Sequence, residues 1–427
     1  MGLPALGAIS YALRALRGSL SLSVPLSPKV ARDFRLDIFS AMMFGLFNGS
    51  VVSYLFVVGR TIGVSPFGIS VLVSMPAVGS ILSLPISLAL QGTGARRFMI
   101  ASWAIGRGAM VLPLLFSAPL SYTLVAALFL VSTAVSSPFY AQVMQHVYPR
   151  EIRGQLMSLV RIGSALVTTL TSLLVAWLLS STHIGYALIF AFGTAAGVSS
   201  LVVFARMTPV RAEPRPRQSV REIFGVLKQN TRFASYQGAV FLMGFGNAMV
   251  GTLYPLVVVD RLHGGYGPFG VLTVCNSLGY LVSFFVWGKV VDRRGPLFTM
   301  GVIGIAVVFQ AIGMLLAPSV WWLVPVMLAA GVTLAGFELG VYGGVIHYAP
   351  PREVSQYMAL HSYFAGIRGL IAPFLATGLL GTSRFPLALA ASLLFSATGT
   401  ALIWRRSRLE PYGSSHAIPM VEAKPVH

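Results

Sequence analysis

Twelve apolar runs, each about 20 residues or longer, fill most of this chain and decide what it can fold into. They lie at about 37–59, 67–91, 98–118, 121–146, 155–180 and 185–205, then 236–259, 268–290, 297–317, 321–347, 357–381 and 385–404. A helix of ~20 apolar residues crosses the hydrocarbon core of a bilayer, and inside that core only a helix or a closed barrel satisfies its own backbone. A water-facing surface is excluded by composition, since 56% of the 427 residues are hydrophobic and only 10% are charged. The expected class is an all-α membrane protein with twelve transmembrane helices.

The charges that remain carry the orientation. A net charge of +19 can point to nucleic acid, but here the cations sit in short segments between the apolar runs. Of the 30 lysines and arginines, 24 fall in the two ends and in every second connection. Three, Arg60, Arg261 and Arg384, fall in the alternate connections, and three, Arg107, Arg161 and Arg368, lie within runs. Basic residues accumulate on the cytoplasmic side of membrane proteins, so both termini are expected there, in a multi-pass protein of the cytoplasmic membrane. The expected partners are the bilayer and a small-molecule substrate, with no nucleic acid, and the expected state is a monomer. A single cysteine, Cys275, rules out a disulfide framework, and the seven scattered histidines make no metal-ligand spacing. No cofactor or metal is expected. At the start, no basic residues precede the apolar stretch as they do in a cleavable signal. Leu6, Ile9, Leu13, Leu16 and Leu20 instead form one helical stripe beside Arg14 and Arg17. That suits a helix lying on the membrane surface, and a frayed basic tail suits it equally.

The chain also repeats itself. Pro149-Arg150-Glu151-Ile152-Arg153-Gly154-Gln155-Leu156-Met157-Ser158-Leu159 returns as Pro351-Arg352-Glu353-Val354-Ser355-Gln356-Tyr357-Met358-Ala359-Leu360. Pro66-Phe67-Gly68 returns as Pro268-Phe269-Gly270, and Asn48, Tyr140, His146 and Gly94 have echoes at Asn247, Tyr342, His347 and Gly295. Two copies of a several-span unit are a common build for secondary transporters. Two pseudo-symmetric six-helix bundles follow, at 37–207 and 236–404, with an N-terminal segment 1–36, a linker 208–235 and a tail 405–427. Within the linker, SVREIFGVLKQ has the pattern of a short amphipathic helix.

Gly288-Lys289-Val290-Val291-Asp292-Arg293-Arg294-Gly295-Pro296 resembles the loop motif of the major facilitator superfamily, written G-x-x-x-D-R-x-G-R-R. The first-half counterpart, from Ser87 to Arg97, keeps a glycine and basic residues but has Gln91 where the acid would stand. The resemblance implies two rocking bundles around a central site. It implies that the loop acid Asp292, with Gly288, Arg293 and Gly295, latches the cytoplasmic side, a role Gln91 cannot fill electrostatically. It also implies that the first, fourth, fifth, seventh, tenth and eleventh helices line the cavity. The fifth-span motif of drug antiporters is absent, since 163–174 reads GSALVTTLTSLL.

Charged and amide residues inside the runs are the candidates for chemistry. Glu338 is the carboxylate set deepest in a run, where a charge costs ~2.5–3.5 kcal/mol on insertion scales. It either exchanges a proton or forms a fixed ion pair. Arg368, roughly 17 Å into the next run, is its expected partner. Arg161 lies shallower and is expected to snorkel or pack, or to face His361 across the pseudo-twofold axis. His361 is otherwise a core histidine, and Arg107 on the third run is expected to be structural. Asp37 and Asp260 are placed at wet span ends. Asn48, Asn247 and Asn276 can bond a substrate or glue helices.

The expected function is secondary active transport of a small solute by alternating access, with proton coupling and an organic-anion substrate as candidate refinements. A drug or lipophilic-compound efflux antiporter and a non-transporting receptor or scaffold stay open as alternatives. An enzyme is not expected, because one central carboxylate is a poor source of general acid and base together.

Overall fold

The computed structural model describes residues 27–90, 94–116, 118–149, 152–181, 184–208, 220–350, 353–382 and 385–410. The N-terminal stripe and the tail beyond 410 lie outside them. All regular structure among these residues is helical. In chain order the helices are α1 (Pro28–Phe47, continued by a π-helical turn Asn48–Val52 and by Leu55–Thr61), α2 (Pro66–Ala89), α3 (Gly94–Ala109), α4 (Pro119–Val147), α5 (Arg153–Ser181) and α6 (Tyr186–Ala205). A linker helix Val220–Gln229 precedes α7 (Thr231–Leu256), which runs on into a π-helical turn, Val257–Arg261. The bent segment Tyr266–Leu316 supplies α8 (266–294) and α9 (296–316), followed by α10 (Leu323–Tyr348), α11 (Val354–Gly378) and α12 (Phe385–Leu409).

Local chemistry sets these boundaries. Serine followed by proline opens α1 and α2: Ser27 and Ser65 accept from the amides of Val30 and Gly68, and Pro28 and Pro66 occupy the first turn. A proline there gives up an amide that would have no helical partner anyway. Asn230 caps α7 in the same way, accepting from Phe233 N at 2.9 Å. The α8–α9 bend falls at Gly295, with φ 82° and ψ 167°. That backbone region is open almost only to glycine, and Pro296 then starts α9. Among the described residues, nine helical segments are long and apolar enough by themselves to cross a membrane. The remaining three of the twelve are α3 with 16 residues, α8, and α11, which carries His361 and Arg368 midway.

α1 through α6 pack among themselves, as do α7 through α12, and the halves meet where α2 lies on α11 and α5 on α8. The apolar cores show how they meet. One cluster draws on both halves, joining Tyr54, Val57, Val58 and Ile69 to Val257, Val258, Phe269, Leu272 and Ala372. The other two stay within one half each, one around Met99, Phe139, Met144 and Phe204 and the other around Phe233, Tyr236, Met300 and Val345. The shared core lies at the end remote from the chain's ends, here called the distal face. Toward the terminal face, where α1 begins and α12 finishes, each half has its own core and the halves part.

The expected linker helix is present, with Val226 buried against the second half and Asn230 donating to Tyr348 O and Tyr357 Oη at 3.1 Å each. The sequence reading set the start of the first helix too late. The helix begins at Pro28, so Asp37 stands nine residues into it and is 3% exposed, not at a wet end. Asp260 does stay at its helix end, about a fifth exposed.

Gly295→Ala is expected to destabilise the protein by about 1–3 kcal/mol, the cost of holding a β-carbon in that region. Thermal unfolding of the purified protein measures it, and an unchanged melting curve would mean the bend tolerates a side chain.

Candidate functional site

In the parting between the halves one ion pair crosses. Arg161 on α5 donates through Nη1 to Glu338 Oε2 on α10 at 3.1 Å, and Tyr280 on α8 donates to Glu338 Oε1 at 3.3 Å. The two charged side chains are 61% and 38% exposed, so water in the opening screens them. An ion pair so placed contributes only ~0.2–1 kcal/mol. Breaking it therefore costs little.

This geometry corrects three expectations. Glu338 does not pair with Arg368, although their helices are consecutive. Arg368 turns back into its own half, where Nη1 donates to Val240 O at 3.2 Å and the guanidinium lies against Gly244 on α7. A β-carbon at Gly244 would overlap that guanidinium, so the missing side chain makes its berth. Arg161 neither snorkels nor meets His361. It reaches across to the other half, while His361 is buried with Nδ1 at 3.1 Å from Gln237 Oε1. Hydropathy fixes which helix carries a charge but not the direction in which the helix turns it.

Distal to the ion pair lies a cavity of about 400 Å³ between α1 and the second half. Asn247, Asn276, Tyr254, Thr273 and Gln310 give it polar groups, and Phe56, Phe269 and Phe337 give it aromatic walls. Its volume falls in the ~300–1,000 Å³ range of small-molecule sites. Asn276 is one helical turn from Tyr280, and Phe337 adjoins Glu338, so the ion pair borders the cavity on its terminal side. Asn276 donates weakly to Met327 O at 3.5 Å, and the buried Tyr254 hydroxyl has no hydrogen-bond partner among the described residues. Asn48 opens the π-helical turn of α1, its carbonyl accepting from Ser53 N at 2.9 Å, and it does not line this cavity.

The distal end of the cavity is sealed by contacts between the halves. Arg60 Nε lies 2.8 Å from both carboxylate oxygens of Asp260, and the Thr61 and Tyr266 hydroxyls are 2.7 Å apart. Ser70 donates to Pro373 O at 2.8 Å. The repeated Pro-Phe-Gly triplets both work here. Phe67 packs at a tilt against Phe374 and Phe269 against Tyr54, and Gly270 lets α8 close on Ala176 of α5.

Arg107 has the structural surroundings expected of it. It is 5% exposed, donates to Ser200 Oγ at 2.6 Å and to Gly197 O at 3.3 Å, and lies over the rings of Phe44 and Trp103. Asp37, missed as a candidate, accepts from Tyr148 Oη at 2.6 Å. Burial, and then the neighbouring carboxylate, raise the Tyr148 hydroxyl above its usual range, so it remains a donor. The signal was available, since an acid two turns after a Ser-Pro helix start cannot be at the helix end. In the loop motif, Gly288, Arg293 and Gly295 are described, and the Asp292 side chain lies outside the described residues.

A family model described as Major Facilitator Superfamily matches residues 38–236 and again 238–426. Among solved structures, a mutant of the nucleoside transporter NupG is similar with a TM-score of 0.71 at 12% identity, over 88% of this chain and 99% of that one. A bacterial homologue of the human lysosomal transporter Spinster, inward-facing and unoccupied, gives 0.64 at 14% identity, over 90% and 98%. The same homologue in an inward-facing, occupied conformation gives 0.63 at 15% over the same shares. Identities this low speak for the fold alone. No curated protein matches by sequence.

Because the Arg161–Glu338 pair is exposed, Glu338→Gln and Arg161→Gln are each expected to change stability by less than about 1 kcal/mol. A double-mutant cycle on chemical unfolding should return a coupling of about 0.2–1 kcal/mol. A loss of several kcal/mol in either single variant would mark the pair as a structural staple.

Proposed function

The chain belongs to the major facilitator superfamily, and from that premise we propose that it is a secondary active transporter moving a small solute by alternating access. The observation that carries this reading is the distribution of the core, shared between the halves at the distal face and divided at the terminal face. Two packed bodies joined at one end have a second arrangement available, joined at the other. The bodies are residues 37–207 and 236–404, connected by 208–235. The terminal face is cytoplasmic, an orientation supported by the 24 basic residues of its segments. This structure is then the inward-open state, working as a monomer.

In this proposal the solute binds in the seam cavity, with Asn247 and Asn276 as hydrogen-bonding groups and the Arg161–Glu338–Tyr280 set on its cytoplasmic border. Glu338 is the coupling residue. Protonation removes its charge and releases Arg161, and proton binding becomes linked to the motion of α5 against α10. Arg368 and His361 hold α11 to α7 within the second body and carry no solute. Asp292, Arg293, Gly288 and Gly295 form the cytoplasmic latch, in which a carboxylate near a helix N-terminus is electrostatically favoured. The organic-anion refinement loses Arg161 as its source of positive charge, because Glu338 neutralises it.

Glu338→Gln is expected to abolish pH-gradient-driven accumulation in proteoliposomes while solute counterflow continues. Accumulation by the variant would remove Glu338 from the coupling role, and absence of flux in the native protein would favour a receptor or scaffold. At the other end, Asp260→Asn is expected to loosen the distal seal and shift the population outward by roughly five- to 150-fold, a coupling of about 1–3 kcal/mol. Spin-label distances across the distal ends of α1 and α7 report it, and unchanged distributions would show that Arg60–Asp260 does not hold the seal.

A further inference from the structure

The seam cavity between α1 and the second half has a wall without charge. Eighteen described residues line it, and none of them is an aspartate, glutamate, lysine, arginine or histidine. Glu338 follows the lining residue Phe337, but Arg161 and Tyr280 already meet its carboxylate. Neither sign of charge is therefore offered to a molecule in the cavity. A charged solute entering it would exchange water for a wall with no counter-charge, which is costly. The wall is not simply apolar either, because seven of the eighteen residues are polar and neutral.

Three of the seven are carboxamides, and each has unspent hydrogen-bonding capacity. Asn247 is half-buried and has no hydrogen-bond partner among the described residues. Asn276 is half-buried too; its nitrogen makes one long bond, to Met327 O at 3.5 Å, and its oxygen makes none among the described residues. Gln310 is oriented by its neighbours. Thr333 gives its proton to Ala329 O, so it can only accept from Gln310, whose Nε2 donates to it at 2.8 Å and to Ala306 O at 3.2 Å. Both amide hydrogens are used, and the Gln310 oxygen is left as an acceptor that is not among the fully buried unpartnered atoms. The Tyr254 hydroxyl is fully buried and takes no part. A carboxamide presents a donor and an acceptor side by side, so this wall complements a molecule whose edge carries both. Phe56 and Phe337, each half-buried, supply faces for a ring.

We propose that the solute of the seam cavity is an uncharged planar ring compound with a hydrogen-bond donor and acceptor on one edge, of the carboxamide or lactam type. Asn247 and Asn276 bind that edge, Gln310 accepts from it, and Phe56 and Phe337 hold the ring. The assignment rests on the reading that the seam cavity is the solute site, and it adds charge and shape to that reading.

Isothermal titration of the full chain in detergent with benzamide, benzoate and benzamidinium makes the test, because the three share one shape and differ in charge. Benzamide is expected to bind at least tenfold more tightly than either ion. Asn247→Leu and Asn276→Leu keep the bulk and remove the amide, and each should weaken benzamide by about tenfold. Asn247→Asp supplies the missing counter-charge and should strengthen benzamidinium while leaving benzoate the weakest of the three. Gly251 lines the same cavity, and a β-carbon there would meet no atom within 4 Å. Gly251→Phe therefore fills free space without displacing packing, and it should weaken benzamide at least tenfold. An ion that binds as tightly as benzamide overturns the proposal, as does failure of benzamide to bind. Benzamide binding that is indifferent to Gly251→Phe and to both leucine variants overturns it too. Flux separates this assignment from the transport reading. Preferential binding of benzamide without its flux across proteoliposomes removes transport alone, whereas uptake of labelled benzoate but not of benzamide removes the uncharged solute alone.

Discussion

Everything in this architecture depends on how closely two helical bodies can approach at the distal face. Lipid tails are as apolar as leucine, so no hydrophobic force drives helices together in a bilayer, and contact must come from close packing and hydrogen bonds. The distal seam uses both. Gly270 removes the side chain that would hold α8 away from Ala176, while Tyr54, Phe67, Phe269 and Phe374 fill the flanks. The Arg60–Asp260 pair, less than a quarter exposed on each side, adds a directional tie. With the seam closed there, the rigid helices carry the parting to the opposite face, and a cavity is left between.

The three arginines within apolar runs show three ways of partnering a guanidinium. Arg368 takes a backbone carbonyl beside a glycine, and Arg107 takes a hydroxyl, a carbonyl and two aromatic faces. Both solutions stay inside one body and survive any rigid-body rotation. Arg161 alone of the three takes its partner from the other body, and its bond must change when the bodies move. A charge that is satisfied locally stabilises a half, whereas one satisfied across the opening reports the relation between halves.

Much of this was legible in the sequence. Twelve apolar runs, their basic connections and the repeat gave the helix count and the division into two bodies, because those depend on length and composition alone. The linker helix at Val220–Gln229 was legible from its amphipathic pattern. The ion pairing was not. Glu338, Arg161 and Arg368 all lie within the membrane, and the choice between partners depends on helix rotation and on a neighbouring glycine at 244. Hydropathy carries neither. Asp37 was misplaced for a different reason, since an apolar run begins where polar residues stop, while the helix begins nine residues earlier at its proline. The asparagines at 247 and 276 reached a common cavity, but Asn48, the echo of Asn247, did not, so equivalence in the repeat does not guarantee equivalence of surroundings.

The distal ion pair bears on the chain's internal symmetry. Arg60 and Asp260 are 200 residues apart, yet they are not counterparts. Val57-Val58-Gly59-Arg60 returns as Val258-Val259-Asp260-Arg261, at an offset of 201. Asp260 therefore stands where the first copy has Gly59, and the first half brings no acid of its own to this point. Two copies of the first half would bring arginines together with no carboxylate between them, and like charges so close repel. The distal tie thus depends on a difference between the repeats, a single position that is glycine in one copy and an acid in the other.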